Sequence, residues 1–125
     1  LVEFAHENGV KVIMSNHDFS KTPSYEEIMH RFSKMEQMQC DIAKVAYMPK
    51  DSDDVLTLLR ATNDASKKTS CLLVSMSMSQ LGVISRISGE LFHSCMTFGC
   101  AKNASAPGQL EANVLDSILE ALHQR

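Results

Sequence analysis

The chain has no uninterrupted apolar run near the roughly 18 to 20 residues that a bilayer crossing needs, so no membrane span is expected. It has no basic start followed by an apolar stretch and a small-residue cleavage site, which argues against secretion and leaves the cytosol as the default location. Positive charge is not in surplus either. Twelve Lys and Arg stand against fifteen Asp and Glu, a formal net charge of −3, and the basic residues are scattered singly. The basic surface that would neutralise phosphates is missing, so a nucleic-acid partner is not expected and a small molecule is. No GxGxxG and no P-loop occurs, which removes the usual glycine cradles for dinucleotides and nucleotide phosphates. The four cysteines, Cys40, Cys71, Cys95 and Cys100, contain no CxxC pair and lie in or beside apolar segments, as small core residues of a reducing compartment do. His93, Cys95 and Cys100 would each have to leave a different structural context to share a metal, and no metal is expected.

What is present is the composition of one ordinary globular domain: 125 residues, 44% hydrophobic and 22% charged. Strand and helix signals alternate along it. LVEFAHENG reads as the last turns of a helix reaching its glycine stop, a helix whose start precedes Leu1. VKVIMSN is a β-branched-rich strand ending in the polar cluster Asn16, His17, Asp18. Thr22 and Pro23, with Ser24 and Glu27 at capping-box spacing, open a helix whose Ile28, Phe32 and Met35 share a face. DIAKVAYM is a second strand, and Asp51 to Asp54 give an acidic start to a helix with Val55, Leu58, Leu59 and Thr62 inward. CLLVSMSMS is a third strand, followed by a helix from about Gly82 to Phe92. MTFGCAK is expected as a short fourth strand, and Leu110 to His123 as the last helix, with Leu115, Ile118, Leu119 and Leu122 in register.

Four βα units in a row imply parallel strands with right-handed crossovers. Two architectures fit: a small open sheet, or half of an eight-unit barrel whose usual length of about 250 residues is twice what stands here. The open sheet needs helices on both faces and usually a glycine-rich first turn, so the half-barrel is preferred. Residues 1–125 are then a single partial domain.

In either architecture the active site lies at the carboxyl ends of the strands. Lys44 interrupts an apolar strand and shares a face with Ile42 and Ala46. It can snorkel to water, pair with a buried carboxylate, or serve as an amine nucleophile toward a carbonyl. Desolvation lowers a lysine pKa by up to ~3 to 5 units when burial is complete, which supplies the neutral amine that imine formation requires. His17 ends the preceding strand and suits proton transfer near neutrality, although an isolated histidine also serves simply as a hydrogen-bonded loop residue. Asp18 beside it can cap a turn. Arg86, early in the helix of GVISRISGE, reads either as a surface ion pair or as a clamp for a substrate carboxylate. Met76 and Met78 pack the strand end or line a pocket wall. Ser105, Ala106, Pro107, Gly108 and Gln109 form a polar loop, either an ordinary connection or a lid.

The succession VIMSNHDFSKTP, DIAKVAYMP, SMSMSQLGVISR and FGCAKNASAPGQ resembles the type I 3-dehydroquinate dehydratases, Schiff-base lyases of the shikimate pathway, across essentially the whole chain. The resemblance implies a (β/α)8 TIM barrel of which this is the C-terminal half. It implies that Lys44 forms an imine with the ketone of 3-dehydroquinate, and that His17 removes the adjacent proton and delivers one to the departing hydroxyl. The products would be 3-dehydroshikimate and water. Arg86 would bind the substrate carboxylate, Ser105 and Gln109 would close over it, and Met76 and Met78 would line the pocket, with no metal or cofactor.

The family's upstream half carries an acidic partner for the histidine and arginine contacts to substrate hydroxyls, and no residue here matches them. A half-barrel also leaves two strand edges and an apolar face open. The chain is therefore expected to need the first half or to self-associate, and the complete enzyme to be a homodimer. An aldolase-like Schiff-base enzyme and a noncatalytic, self-associating half-barrel are the alternatives.

Overall fold

The alternating pattern produces three parallel strands in chain order, with a helix after each of the first two. The computed structural model describes residues 1–123. Its elements are α1 (Val2–Glu7), β1 (Ile13–Asp18), α2 (Tyr25–Gln37), β2 (Ile42–Tyr47), α3 (Ser52–Ser66) and β3 (Leu72–Ser77). A 3-10 turn (Gln80–Gly82) then runs into α4 (Val83–Ile87), followed by α5 (Gly89–Phe92) and α6 (Ala112–Leu122). The sheet order is β1-β2-β3, all parallel.

Local chemistry sets the helix starts as the sequence suggests. Ser24 accepts the Glu27 N–H at 3.2 Å and Asp51 accepts the Asp54 N–H at 3.0 Å, each satisfying a donor that the first helical turn leaves unpaired. Gly9, at φ 72°, takes up the left-handed backbone after α1 that residues with a Cβ avoid.

Strand alternation then divides the sheet into two unlike faces. Ala43, Val45, Tyr47 and Leu73 point to one side and pack against Ile28, Phe32 and Met35 of α2 and Leu58, Ala61 and Ala65 of α3, all buried. Both crossover helices therefore cover the same face, as in a barrel wall and unlike a doubly wound sheet, which decides between the two architectures. The other face carries the rows Ser15, Lys44, Val74 and His17, Ala46, Met76. Met96 and Phe98 pack over it, against Ala46, Val74 and Met76. At the amino ends of this face Ile13 and Leu72 remain 49% and 57% exposed.

Two expectations are corrected. MTFGCAK does not form a fourth strand; among the described residues it contributes only an isolated bridge between Cys100 and Glu111. The segment begins to follow β3, with the Cys95 N–H on the Leu73 carbonyl at 2.8 Å. The next ladder donor, the Ser75 N–H, is taken at 3.0 Å by the Ser94 hydroxyl, and the backbone ladder stops there. Nor is 82–92 one helix: it breaks at Ser88 into α4 and α5. β1 also starts later than expected and includes Asn16, His17 and Asp18.

Phe32 is fully buried at the centre of the helix-side core. Phe32→Ala should cost about 3 to 5 kcal/mol, measured as a lower urea midpoint at constant slope. Asp41, just before β2, accepts the Val12 N–H at 2.7 Å and lies 2.8 Å from His6 Nε2, tying α1 to the sheet. The Val12 backbone donor, then His6, hold its carboxyl below the ordinary carboxylate range. Because the folded value is depressed, the stabilisation is present above the unfolded carboxylate value of about 3.9 and is lost as pH falls through the lower folded value. Asp41→Asn should therefore flatten the acid limb of the stability profile below about pH 4, and an unaltered limb would contradict the linkage.

Candidate active site

The carboxyl ends of the strands and the loops that follow them enclose a cavity of about 260 Å³. Seven of the residues singled out from the sequence line it: His17, Lys44, Met76, Met78, Arg86, Ser105 and Gln109. They come from all three strands, from α4 and from the loop before α6.

Lys44 stands half-buried at the middle of β2, between Ser15 and Val74. Its Nζ lies 4.6 Å from the centroid of the Phe98 ring, within cation–π range, so the aromatic face shields the amine on one side. His17 is one row nearer the carboxyl edge on the same face, level with Ala46 and Met76. Its imidazole stacks on Phe19 with ring centroids 6.0 Å apart and planes 9° apart. No carboxylate hydrogen-bonds it among the described residues. Asp18 turns away and caps a turn, accepting the Ser20 hydroxyl at 2.7 Å, the Ser20 N–H at 2.9 Å and the Lys21 N–H at 3.1 Å. The Ser20 hydroxyl, first of these donors, holds the Asp18 carboxyl below the ordinary range.

Arg86 is the unusual residue. Gly82 lets α4 approach β3 so closely that a Cβ there would sit 2.0 Å from the Ser77 carbonyl oxygen. The Ser85 hydroxyl accepts the Ser77 N–H at 2.8 Å and fixes the turn, which aims the next residue inward. Arg86 is only 2% exposed. One terminal nitrogen donates to the Pro107 carbonyl at 3.0 Å and the other lies 3.5 Å from Met76 Sδ, while Nε has no partner. No acidic side chain pairs with it among the described residues, and burial alone pushes its pKa down from the ordinary arginine value. The surface ion-pair reading of the sequence is thereby excluded.

The loop is folded on itself and docked. Gln109 accepts the Ser105 N–H at 2.8 Å through Oε1 and donates to the Ser105 hydroxyl at 2.8 Å through Nε2. The Pro107 carbonyl also accepts the Ser79 N–H at 3.1 Å. Phe19 and Phe98, which line the cavity as well, escaped the sequence reading. Phe98 was hidden inside an apparent strand, and Phe19 carried no signal beyond standing next to the polar cluster. His93, Cys95 and Cys100 form no shared site: among the described residues no group of three or more His, Cys, Asp or Glu is placed to hold a metal.

Fold and cavity together define a class: a parallel βα half-barrel with an amine, an imidazole and a guanidinium facing one pocket at its carboxyl-end mouth. The model of the type I 3-dehydroquinase family matches residues 1–125, and the chain belongs to that family. It is 55% identical over 125 residues to the 3-dehydroquinate dehydratase of Listeria monocytogenes serotype 4b (strain CLIP80459), covering 100% of this chain and 50% of that protein. Among solved structures, the type I 3-dehydroquinate dehydratase of Clostridium difficile with covalent modified comenic acid superposes with a TM-score of 0.93 at 51% identity, over 98% of this chain and 48% of that one. The Enterococcus faecalis 3-dehydroquinate dehydratase superposes with a TM-score of 0.88 at 44% identity, over 98% and 48%. The chain thus spans about half the length of the curated relatives it matches, and it is their C-terminal half.

A buried guanidinium without a counter-charge makes a direct test available. Replacing buried charge by an apolar side chain of similar volume is often neutral or stabilising. Arg86→Met should leave the thermal midpoint unchanged or raised while abolishing carboxylate binding in a titration with a dehydroquinate-like acid, and a fall in midpoint with binding intact would mean Arg86 is there for packing.

Proposed function

We propose that this chain is the catalytic half of a 3-dehydroquinate dehydratase, a lyase that removes water from 3-dehydroquinate in the shikimate pathway. The observation that carries the reading is the convergence of Lys44, His17 and the unpaired Arg86 on one cavity. An anionic ketone answers both demands: its carboxylate would supply the charge that Arg86 lacks, and its carbonyl would meet the amine.

In this reading the neutral amine of Lys44 adds to the ketone and loses water to give an iminium, which draws electrons from the neighbouring carbon. His17 takes the proton from that carbon and returns one to the hydroxyl leaving from the next carbon. Hydrolysis of the imine consumes one water, restores Lys44 and releases 3-dehydroshikimate, so the net change is the loss of a single water. Ser105 and Gln109 close over the substrate, and Met76, Met78 and the two phenylalanines form the apolar walls. No step calls for a metal or an external cofactor.

The half-barrel geometry also supports a need for the upstream half. The outer edge of β1 is unpaired, and Ile13 and Leu72 lie open on the face that carries Lys44. Covering this face would bury apolar surface, exclude water from the amine and bring the acidic partner that His17 lacks here. The net charge of −3 supports a function without nucleic acid, and no helix among the described residues is long and apolar enough to cross a membrane. Cytosolic location stays the default expectation, and a homodimer of complete barrels rests on the family resemblance.

The test is chemical trapping. The complete barrel incubated with 3-dehydroquinate and borohydride should gain the mass of the reduced adduct at Lys44, and Lys44→Ala should not. Turnover that persists while Lys44 stays unmodified would refute the assignment. If carbon–carbon cleavage appears in place of dehydration, the aldolase-like reading replaces it.

A further inference from the structure

Ser79 stands where β3 gives way to the 3-10 turn, and its backbone is at φ 62°, ψ −179°. That combination is open to glycine and closed in practice to residues with a Cβ, so surrounding contacts must hold it. Those contacts are visible. Its N–H meets the Pro107 carbonyl at 3.1 Å, and its carbonyl accepts the Gly82 N–H at 3.2 Å. Gly108, at φ 85°, lies against the same carbonyl so closely that a Cβ would be 2.4 Å from the oxygen. The Ser79 hydroxyl makes no hydrogen bond among the described residues. The residue acts through its backbone.

We propose that Ser79 is a positioning residue for the substrate loop: its left-handed backbone aims its N–H at the Pro107 carbonyl and thereby sets the height of Ser105 and Gln109 over the cavity. The Pro107 carbonyl is also the acceptor for Arg86 at 3.0 Å, so one oxygen joins the strand end, the guanidinium and the loop. If Ser79 relaxes to a negative φ, its N–H turns from Pro107 and Gly108 loses its seat. The loop then rests on the Arg86 bond alone. Lys44 and His17, which lie on β2 and β1, keep their places. The inference rests on reading the cavity as a dehydratase site, but the clasp itself exists without substrate.

The experiment uses the complete barrel carrying Ser79→Val, Ser79→Ala and Ser79→Gly. Valine is β-branched and resists positive φ more than serine, alanine keeps the Cβ without the hydroxyl, and glycine removes the strain. With Ser79→Val, KM for 3-dehydroquinate should rise about tenfold while kcat changes less than about threefold, because binding groups move and the amine and imidazole do not. Amide exchange across residues 105–109, measured without ligand, should be faster in that variant and unchanged in β2. Ser79→Ala and Ser79→Gly should keep both KM and loop protection. A Ser79→Val enzyme with the parent KM and a protected loop overturns the proposal, as does a loop freed by Ser79→Ala, which would assign the role to the hydroxyl. Should Ser79→Val fail to fold, the alanine and glycine variants decide alone: protection kept in both sustains the backbone account, and protection lost in either rejects it. Exchange is independent of chemistry, so an enzyme in which no variant, nor the parent, traps an adduct at Lys44 would sink the dehydratase reading and leave the clasp standing.

Discussion

A guanidinium held at 2% exposure and paired with no carboxylate among the described residues is the constraint around which the pocket is arranged. Removing such a cation from water costs several kcal/mol even after local relaxation, and one carbonyl and a thioether return only part of that. The surrounding structure is built to bear the cost. Gly82 brings α4 onto β3, the Ser85 hydroxyl pins the turn, and Pro107 turns its carbonyl inward. A fold selected for stability alone would place methionine or leucine at position 86. The unsatisfied Nε, with no acidic side chain paired to the guanidinium among the described residues, is the feature on which the proposed carboxylate-binding role rests.

The two faces of the sheet divide stability from chemistry. On the helix side the packing is dry and complete, with Ile28, Phe32, Ala43, Val45, Tyr47, Leu58 and Ala61 all at or near zero exposure. Several of its polar members are paired, the Tyr47 hydroxyl donating to Asn16 at 2.7 Å and the Thr62 and Ser75 hydroxyls bonding at 2.7 Å, while the buried Ser77 hydroxyl has no partner among the described residues. The opposite face is sparsely covered by Met96 and Phe98. Lys44 belongs to that face by strand parity, so its environment depends on whatever completes the barrel, whereas its position depends on the helix-side core. A strand-borne amine is held rigidly, and within this chain Phe98 shields it on one side.

How much of this was legible in the sequence follows the same division. Period-two and period-3.6 patterns are written by burial, so the three strands, α2 and α3 could be read with most of their inward residues, whereas in α6 only Leu115 is buried and Leu122 is 51% exposed, and Lys44 stood out because it breaks such a pattern. The seven candidate residues that line the cavity were singled out because motif and strand-end position coincide. The fourth strand was misread because MTFGCAK carries β propensity, while the decision to join a ladder was made by the Ser94 hydroxyl capturing one N–H, a long-range event with no local signature. The break at Ser88 in 82–92 accompanies a close local approach of Gly89 to the Ser94 carbonyl five residues on, which the apolar pattern of the segment does not announce. Phe98 was invisible as a pocket residue for the same reason: its face could not be assigned once its strand was assumed.

The placement of reactive and binding groups has a consequence for how this site can change. Lys44 and His17 sit on neighbouring strands with fixed register, so the amine and the imidazole are separated by backbone geometry that no loop substitution alters. Ser105 and Gln109 sit on a loop that touches the barrel wall through a single carbonyl acceptor and a glycine contact. Under the proposed dehydratase reading, substitutions in the loop would act on which anionic ketone is held, and for how long, while leaving imine formation available. Substitutions in the strands would act on the chemistry for every substrate alike. Arg86 belongs to both systems, since it is aimed by the β3–α4 turn and bonded to the loop, and a change in loop position would reach its guanidinium through the Pro107 carbonyl.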